Sequence, residues 1–127
     1  MQIKLASVFV DDQEKALAFY TDVLGFVKKG DVYNGAYRWL TVVSPEGHDD
    51  VELLLEPNDH PAAQQFQQAI YGQGIPATAL FTADVQGDYE RLRGRGVRFL
   101  SEPNVEAWGA NVLFDDTCGN LINLVQV

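Results

Sequence analysis

A few side chains in this sequence can do more than pack. Glu52 sits in the run Val51-Glu52-Leu53-Leu54-Leu55-Glu56, a carboxylate among aliphatic neighbours. A carboxylate in such a place can accept a proton or help hold a cation, and burial raises its pKa toward neutrality. Arg38 and Glu56 have the charges for an ion pair near a strand end. The histidines are His48, in a polar turn beside Asp49 and Asp50, and His60, just before a helical pattern. The plainer readings are a solvated turn for His48 and a cap or surface residue for His60. Cys118 lies between Thr117 and Gly119 with no base beside it, so it reads as a turn residue rather than an activated thiolate. Nothing here spaces a nucleophile, a histidine and an acid for a triad. Ser7, Asn111 and Asn123 add neutral hydrogen-bonding groups, and Phe9 and Phe81 add flat apolar surface.

Composition limits what these groups can meet. The 127 residues suit one domain with a real core. Asp and Glu outnumber Lys and Arg, for a formal charge of −9. That surface repels phosphate backbones and anionic lipid, which excludes nucleic acid and membrane surfaces as expected partners. It favours a cationic or neutral small molecule, and the guest expected for a binding cup is cationic or aromatic. One cysteine permits neither an internal disulfide nor a multi-cysteine zinc site. The first residues alternate like a strand and lack a secretory leader's pattern, and no apolar run approaches the ~20 residues of a membrane span. The expectation is a soluble, cytoplasmic protein.

The positioning elements come from an internal duplication. Ser7 to Asp12 aligns with Ala79 to Asp84 at a shift of 72, and Gly25-Phe26 aligns with Gly96-Val97 at a shift of 71. Glu52-Leu53 meets Asn123-Leu124 at a shift of 71. Each copy reads as strand, helix and three strands. In the first, Ile3–Val10 is a strand, and Asp11 or Asp12 caps a helix with Glu14 as a capping-box partner. Gly25 ends that helix, and strands follow over about 26–32, 37–43 and 51–55. In the second, the strands fall at 77–82, 97–101, 108–114 and 121–125, with a helix capped by Asp84. The expected organisation is one domain over 1–127: a first module over about 1–57, a linker helix over about 60–72 started by Pro61, and a second module over about 76–127.

Val10-Asp11-Asp12, Lys15-Ala16-Leu17-Ala18-Phe19-Tyr20, Leu24-Gly25-Phe26 and Asp116…Gly119-Asn120-Leu121-Ile122 resemble the vicinal-oxygen-chelate superfamily. That group includes glyoxalase I, bleomycin-resistance proteins, fosfomycin-resistance enzymes and extradiol dioxygenases. The resemblance implies an α+β fold of two tandem βαβββ modules, a cupped mixed β-sheet with helices on its outside, and a homodimer. It also implies metal ligands on the first and last strand of each module. Those positions hold Leu5, Ala77, Glu52 and Asn123, which leaves one carboxylate of a usual three or four ligands. The expectation is therefore a cup that binds a small organic molecule with no metal cofactor. The alternative is a lyase, isomerase or dioxygenase that uses an atypical divalent-metal site, or Glu52 as acid or base.

Strand alternation then sorts the cup residues. Leu5, Ser7 and Phe9 face it from the first strand, and Glu52, Leu54 and Glu56 from the fourth. A turn centred on Gly47 sets Arg38 opposite Glu56 and Leu40 opposite Leu54, and this register puts Arg38 in the cup. A one-residue slip replaces it with Tyr37 and Trp39. From the second module come Ala77, Ala79, Phe81, Asn111, Leu113, Asn123 and Val125. The expected ligand-binding set is Ser7, Phe9, Arg38, Glu52, Phe81, Asn111 and Asn123.

Overall fold

A computed structural model describes residues 1–127. The first module runs β1 (Leu5–Val10), α1 (Gln13–Ala18) with a π-helical turn (Phe19–Val23), β2 (Val27–Asn34), β3 (Tyr37–Val43) and β4 (Glu52–Pro57). Helix α2 (Pro61–Gly72) connects it to β5 (Thr78–Phe81), α3 (Val85–Gly94), β6 (Asn104–Glu106), β7 (Gly109–Asp115) and β8 (Leu121–Gln126). The strands form two four-stranded mixed sheets of matching order, β1-β4-β3-β2 and β5-β8-β7-β6. In each, the outer pair is parallel, β1 with β4 and β5 with β8. The βαβββ order is thus present twice.

Local chemistry explains the elements and the change of shift between the copies. Asp12 caps α1 by accepting from the Lys15 N–H at 3.0 Å, and Asp84 caps α3 by accepting from the Gly87 N–H at 2.9 Å. The cap is Asp12 rather than Asp11, and Glu14 makes no capping box but reaches across to Arg38. Gly25 and Gly96 leave the two helices at φ of +89° and +90°, a region that glycine enters at low cost. The first module has one residue more between cap and glycine. The π-helical turn absorbs it: the Leu24 N–H bonds the Phe19 carbonyl, five residues back, at 3.0 Å. Both Phe19 and Tyr20 thereby turn inward and are buried.

One core serves both modules. Val8, Val10, Leu40, Val42 and Leu55 line it from the first sheet. Val112, Phe114, Ile122 and Leu124 line it from the second, with α1 and α3 between them. Each sheet therefore turns one face to this core, and its other face is exposed at Leu5, Trp39 and Phe81.

The register of β3 on β4 corrects one expectation. Thr41 pairs with Leu54 and Val42 with Leu53, one residue away from the expected pairing. This register puts Leu40, Val42, Leu53 and Leu55 together on the helix side, where burying four aliphatic side chains outweighs one exposed ion pair. Arg38 consequently leaves the cup. It packs on the helix side with Glu14 and donates to Asp31 at 2.8 and 2.9 Å. Gln13 locks this arrangement by donating to the carbonyls of Arg38 and Leu55 at 3.0 and 2.9 Å. The guanidinium beside Asp31 holds that carboxyl down at about 2. A group whose folded pKa is depressed adds stability above its unfolded value, about 3.9, and loses it as pH falls toward 2. We expect an NMR titration to place Asp31 near that value, and Arg38→Met to raise it toward the ordinary carboxylate range while Lys28, at 3.3 Å, still holds it down.

The expected strand over 97–101 is also corrected. It survives as a single bridge, Phe99 with Phe114, and regular pairing resumes only at Asn104–Glu106. Pro103 lies in the break, where it has no N–H to offer a ladder.

Candidate functional site

The open face of the first sheet is built by β1, β4 and β3. Leu5 pairs with Glu52, Ser7 with Leu54 and Phe9 with Glu56, so these six share that face. The observed register adds Tyr37, Trp39 and Thr41. Thr41 is fully buried at the centre. Its hydroxyl accepts from the Gly30 N–H at 2.9 Å and donates to Glu52 Oε1 at 2.7 Å. With its one proton given to Glu52, Thr41 holds that carboxylate as an acceptor. A Cβ at Gly30 would lie 2.9 Å from the Thr41 oxygen, so the backbone's close approach there needs glycine. The register irregularity between Lys28 and Asp31 falls at this point. Toward the strand end, Tyr37 donates to both oxygens of Glu56 at 3.2 and 3.1 Å. Burial, and then that hydrogen bond, raise the Tyr37 phenol.

The open face of the second sheet carries amides in place of acids. Asn111 pairs with Val125 and Leu113 with Asn123, while Ala79 and Phe81 pair with Asn123 and Val125. Asn111 Nδ2 donates to Asn123 Oδ1 at 2.9 Å, which leaves the Asn123 amide nitrogen free to donate. Phe81 is 68% exposed at the end of this face.

Six of the seven expected ligand-binding residues therefore lie on open faces, but on two different ones. Ser7, Phe9 and Glu52 lie on the first and Phe81, Asn111 and Asn123 on the second. The two faces come together at the seam between the modules, where a cavity of about 100 Å³ touches Ser7, Phe9 and Ala77 and another of about 180 Å³ touches Glu52 and Ala79. Thr41, Tyr37 and Trp39 replace Arg38. Their signal in the sequence was the alternative register, which the aliphatic pattern of both strands could have selected.

The metal positions implied by the fold do not fit a metal. Leu5 and Ala77 have no donor atom, Glu52 is bonded to Thr41, and Asn123 is bonded to Asn111. Nowhere in the chain do three His, Cys, Asp or Glu side chains converge as ligands would.

The late motif is structural. Asp116 is fully buried and accepts from Tyr20 Oη at 2.7 Å, the Cys118 N–H at 2.8 Å, the Asn120 N–H at 3.0 Å and Asn120 Nδ2 at 2.8 Å. Gln67 of α2 donates to the carbonyls of Phe9 and Cys118 and to Asn120 Oδ1. Gly119 has φ of +99° and faces the Gln67 amide so closely that a Cβ would clash. Both modules and the linker helix are tied here. Burial, and then Asp116, push the Cys118 thiol up to about 12, which leaves it protonated and unreactive at neutral pH. His60 Nδ1 accepts from the Ala62 N–H at 3.0 Å and so caps α2, while His48 is exposed in its turn.

A duplicated βαβββ chain with an open polar-studded face on each sheet defines the class. Residues 2–124 match the Glyoxalase/Bleomycin resistance protein/Dioxygenase superfamily, and the chain belongs to it. It is 52% identical over 126 residues to the uncharacterized protein YurT of Bacillus subtilis (strain 168), covering 99% of each chain. Among solved structures it resembles UcmS2, with 32% identity, a TM-score of 0.86 and coverage of 100% of this chain and 98% of that one. It also resembles TnmS3, an antibiotic binding protein from Streptomyces sp. CB03234, with 33% identity, a TM-score of 0.77 and coverage of 99% and 95%. No helix of the chain is long and apolar enough to cross a membrane.

Proposed function

We propose that the chain is a single glyoxalase-like domain that binds a small organic molecule, without a metal, in a cup shared by two copies. The first sheet's open face in one copy closes over the second sheet's open face in the other. The observation that carries this reading is a pair of oriented polar fixtures, Glu52 held by Thr41 and Asn123 held by Asn111, on faces otherwise largely apolar that leave Leu5, Trp39 and Phe81 exposed. Such a mixture suits recognition: apolar surface supplies the affinity and a few fixed polar groups supply the orientation. Glu52 and Glu56 are the charged groups among these strand positions, and the chain carries −9, which favours a cationic guest, while Phe9, Trp39 and Phe81 offer surface to an aromatic one. The likeness to an antibiotic binding protein supports binding over turnover.

The test combines oligomeric state with ligand response. We expect sedimentation to give a dimer and metal analysis to find no stoichiometric ion. The cationic aromatic dye proflavine is expected to raise Tm in a saturable way. Glu52→Gln is expected to weaken that binding about tenfold, as the loss of one charge-assisted contact would. A monomer, a full-occupancy divalent ion or the absence of saturable stabilisation would each overturn the reading. A second reading, Glu52 as a proton acceptor, is favoured by the Thr41 hydrogen bond engaging only Oε1, which leaves Oε2 without a hydrogen-bond partner. Turnover of an α-ketoaldehyde adduct that is lost in Glu52→Gln would establish it.

A further inference from the structure

A cavity of about 330 Å³ lies between the two modules on their helix side, and Phe81, at the end of the second open face, reaches its edge. Leu80, Leu92, Phe114 and Leu124 form its floor, and Phe26 and the turn Ser44-Pro45-Glu46 form the facing wall. Asp88, Arg91 and Thr82 stand at its mouth with Glu46.

The internal duplication provides a comparison within the same molecule. At the shift of 72, Asp88, Arg91 and Leu92 correspond to Ala16, Phe19 and Tyr20. At the shift of 71, Pro45 and Glu46 correspond to Asp116 and Thr117. In the sister seam these residues close the gap. Tyr20 is fully buried and bonded to Asp116, and the Phe19 ring packs 6.2 Å from that of Phe114. In this seam the phenol is replaced by the smaller Leu92, and the acid that would bind it by Pro45. The place of Phe19 is taken by Arg91, which turns to Asp88 at 3.3 Å and leaves the space beneath it open. Close-packed interiors hold few voids larger than a water molecule, so an unfilled seam beside a filled equivalent is a built feature.

We propose that this seam is a second ligand site, bordering the shared cup through Phe81 alone among the expected cup residues, that takes a small amine with a compact apolar body. The apolar floor covers the body. The charge at the mouth selects the amine. The Asp88 oxygens are engaged by the Thr82 hydroxyl at 2.6 Å and by Arg91, whereas the Glu46 carboxylate has no side-chain partner. One guanidinium and two carboxylates leave the mouth negative, in a chain of −9. A carboxylate ligand drawn to Arg91 would meet Asp88 and Glu46; an ammonium meets an unpaired acid.

The probe is 2-phenylethylamine, titrated into the full chain and followed by methyl NMR. We expect saturable shifts at Leu80, Leu92 and Leu124, and none of comparable affinity with 3-phenylpropionate. Arg91→Phe installs the residue of the sister seam on an exposed position and is expected to weaken binding at least about tenfold. Glu46→Gln, in an exposed turn, is expected to weaken it about fivefold. Thr41→Val, in the cup, is expected to leave these shifts unchanged, so failure of either site is told apart from failure of the other. Absent shifts at the three leucines, unaltered binding in Arg91→Phe, or equal binding of the acid would each overturn the proposal.

Discussion

Replacing Asp116 with alanine is expected to destabilise the chain by about 3 kcal/mol or more, because it strands the buried donors of Tyr20, Cys118 and Asn120 together. For a domain of this size that lowers Tm by roughly 10–20 °C in thermal denaturation. Cavity formation alone does not account for such a loss, since the side chain is small. The cost is that of polar groups left without partners where water cannot reach them. The knot also joins three parts of the chain: Tyr20 belongs to the first module, Asp116 to the second, and Gln67 anchors α2 to the same turn through Cys118 and Asn120. Burial raises the Asp116 carboxyl above its ordinary range, and the hydrogen bonds from Asn120 and Tyr20 pull the other way. A raised folded pKa gives stability that is fully present below the unfolded value and lost as pH rises through the folded one. That part of the pH dependence is expected to vanish in Asp116→Ala. A melting temperature within a degree or two of wild type would mean that the knot does not hold the modules together.

Phe114→Ala is expected to cost about 3–5 kcal/mol, read by urea unfolding at unchanged m. Phe114 is fully buried on β7 and lies between rings from both modules, 6.2 Å from Phe19 and 5.8 Å from Phe99, which in turn stands 4.8 Å from Tyr89. Removing it breaks the aromatic chain that spans α1, the second sheet and α3. The void would also open into the cavity between the modules, whose floor Phe114 forms. Phe114→Leu keeps most of the volume and is expected to cost under about 2 kcal/mol. Equal losses in the two variants would show that ring packing is not what couples the modules.

Several features could be read from the chain without its fold. The paired caps Asp12 and Asp84 and the closing glycines Gly25 and Gly96 are local signals, and they located both helices. The faces of β7 and β8 also followed from alternation, because Val112, Phe114, Ile122 and Leu124 leave one assignment that buries them together. Even the change of shift from 72 to 71 was visible, although only the structure shows it taken up by a π-helical turn.

The sequence by itself determined the duplication, the order of elements and the lone acid, Glu52, in an aliphatic strand, because these depend on residue type and short-range period. The tertiary structure decided the rest. Whether Arg38 or Thr41 shares a face with Glu52 depends on a one-residue register, and that register is set by how well four aliphatic residues fill a core made jointly with the other module. The open seam beneath Arg91 is a difference in volume between two sites that only become comparable once both modules are folded against each other. Pairing and packing of this kind are sums over distant residues, and no local pattern contains them.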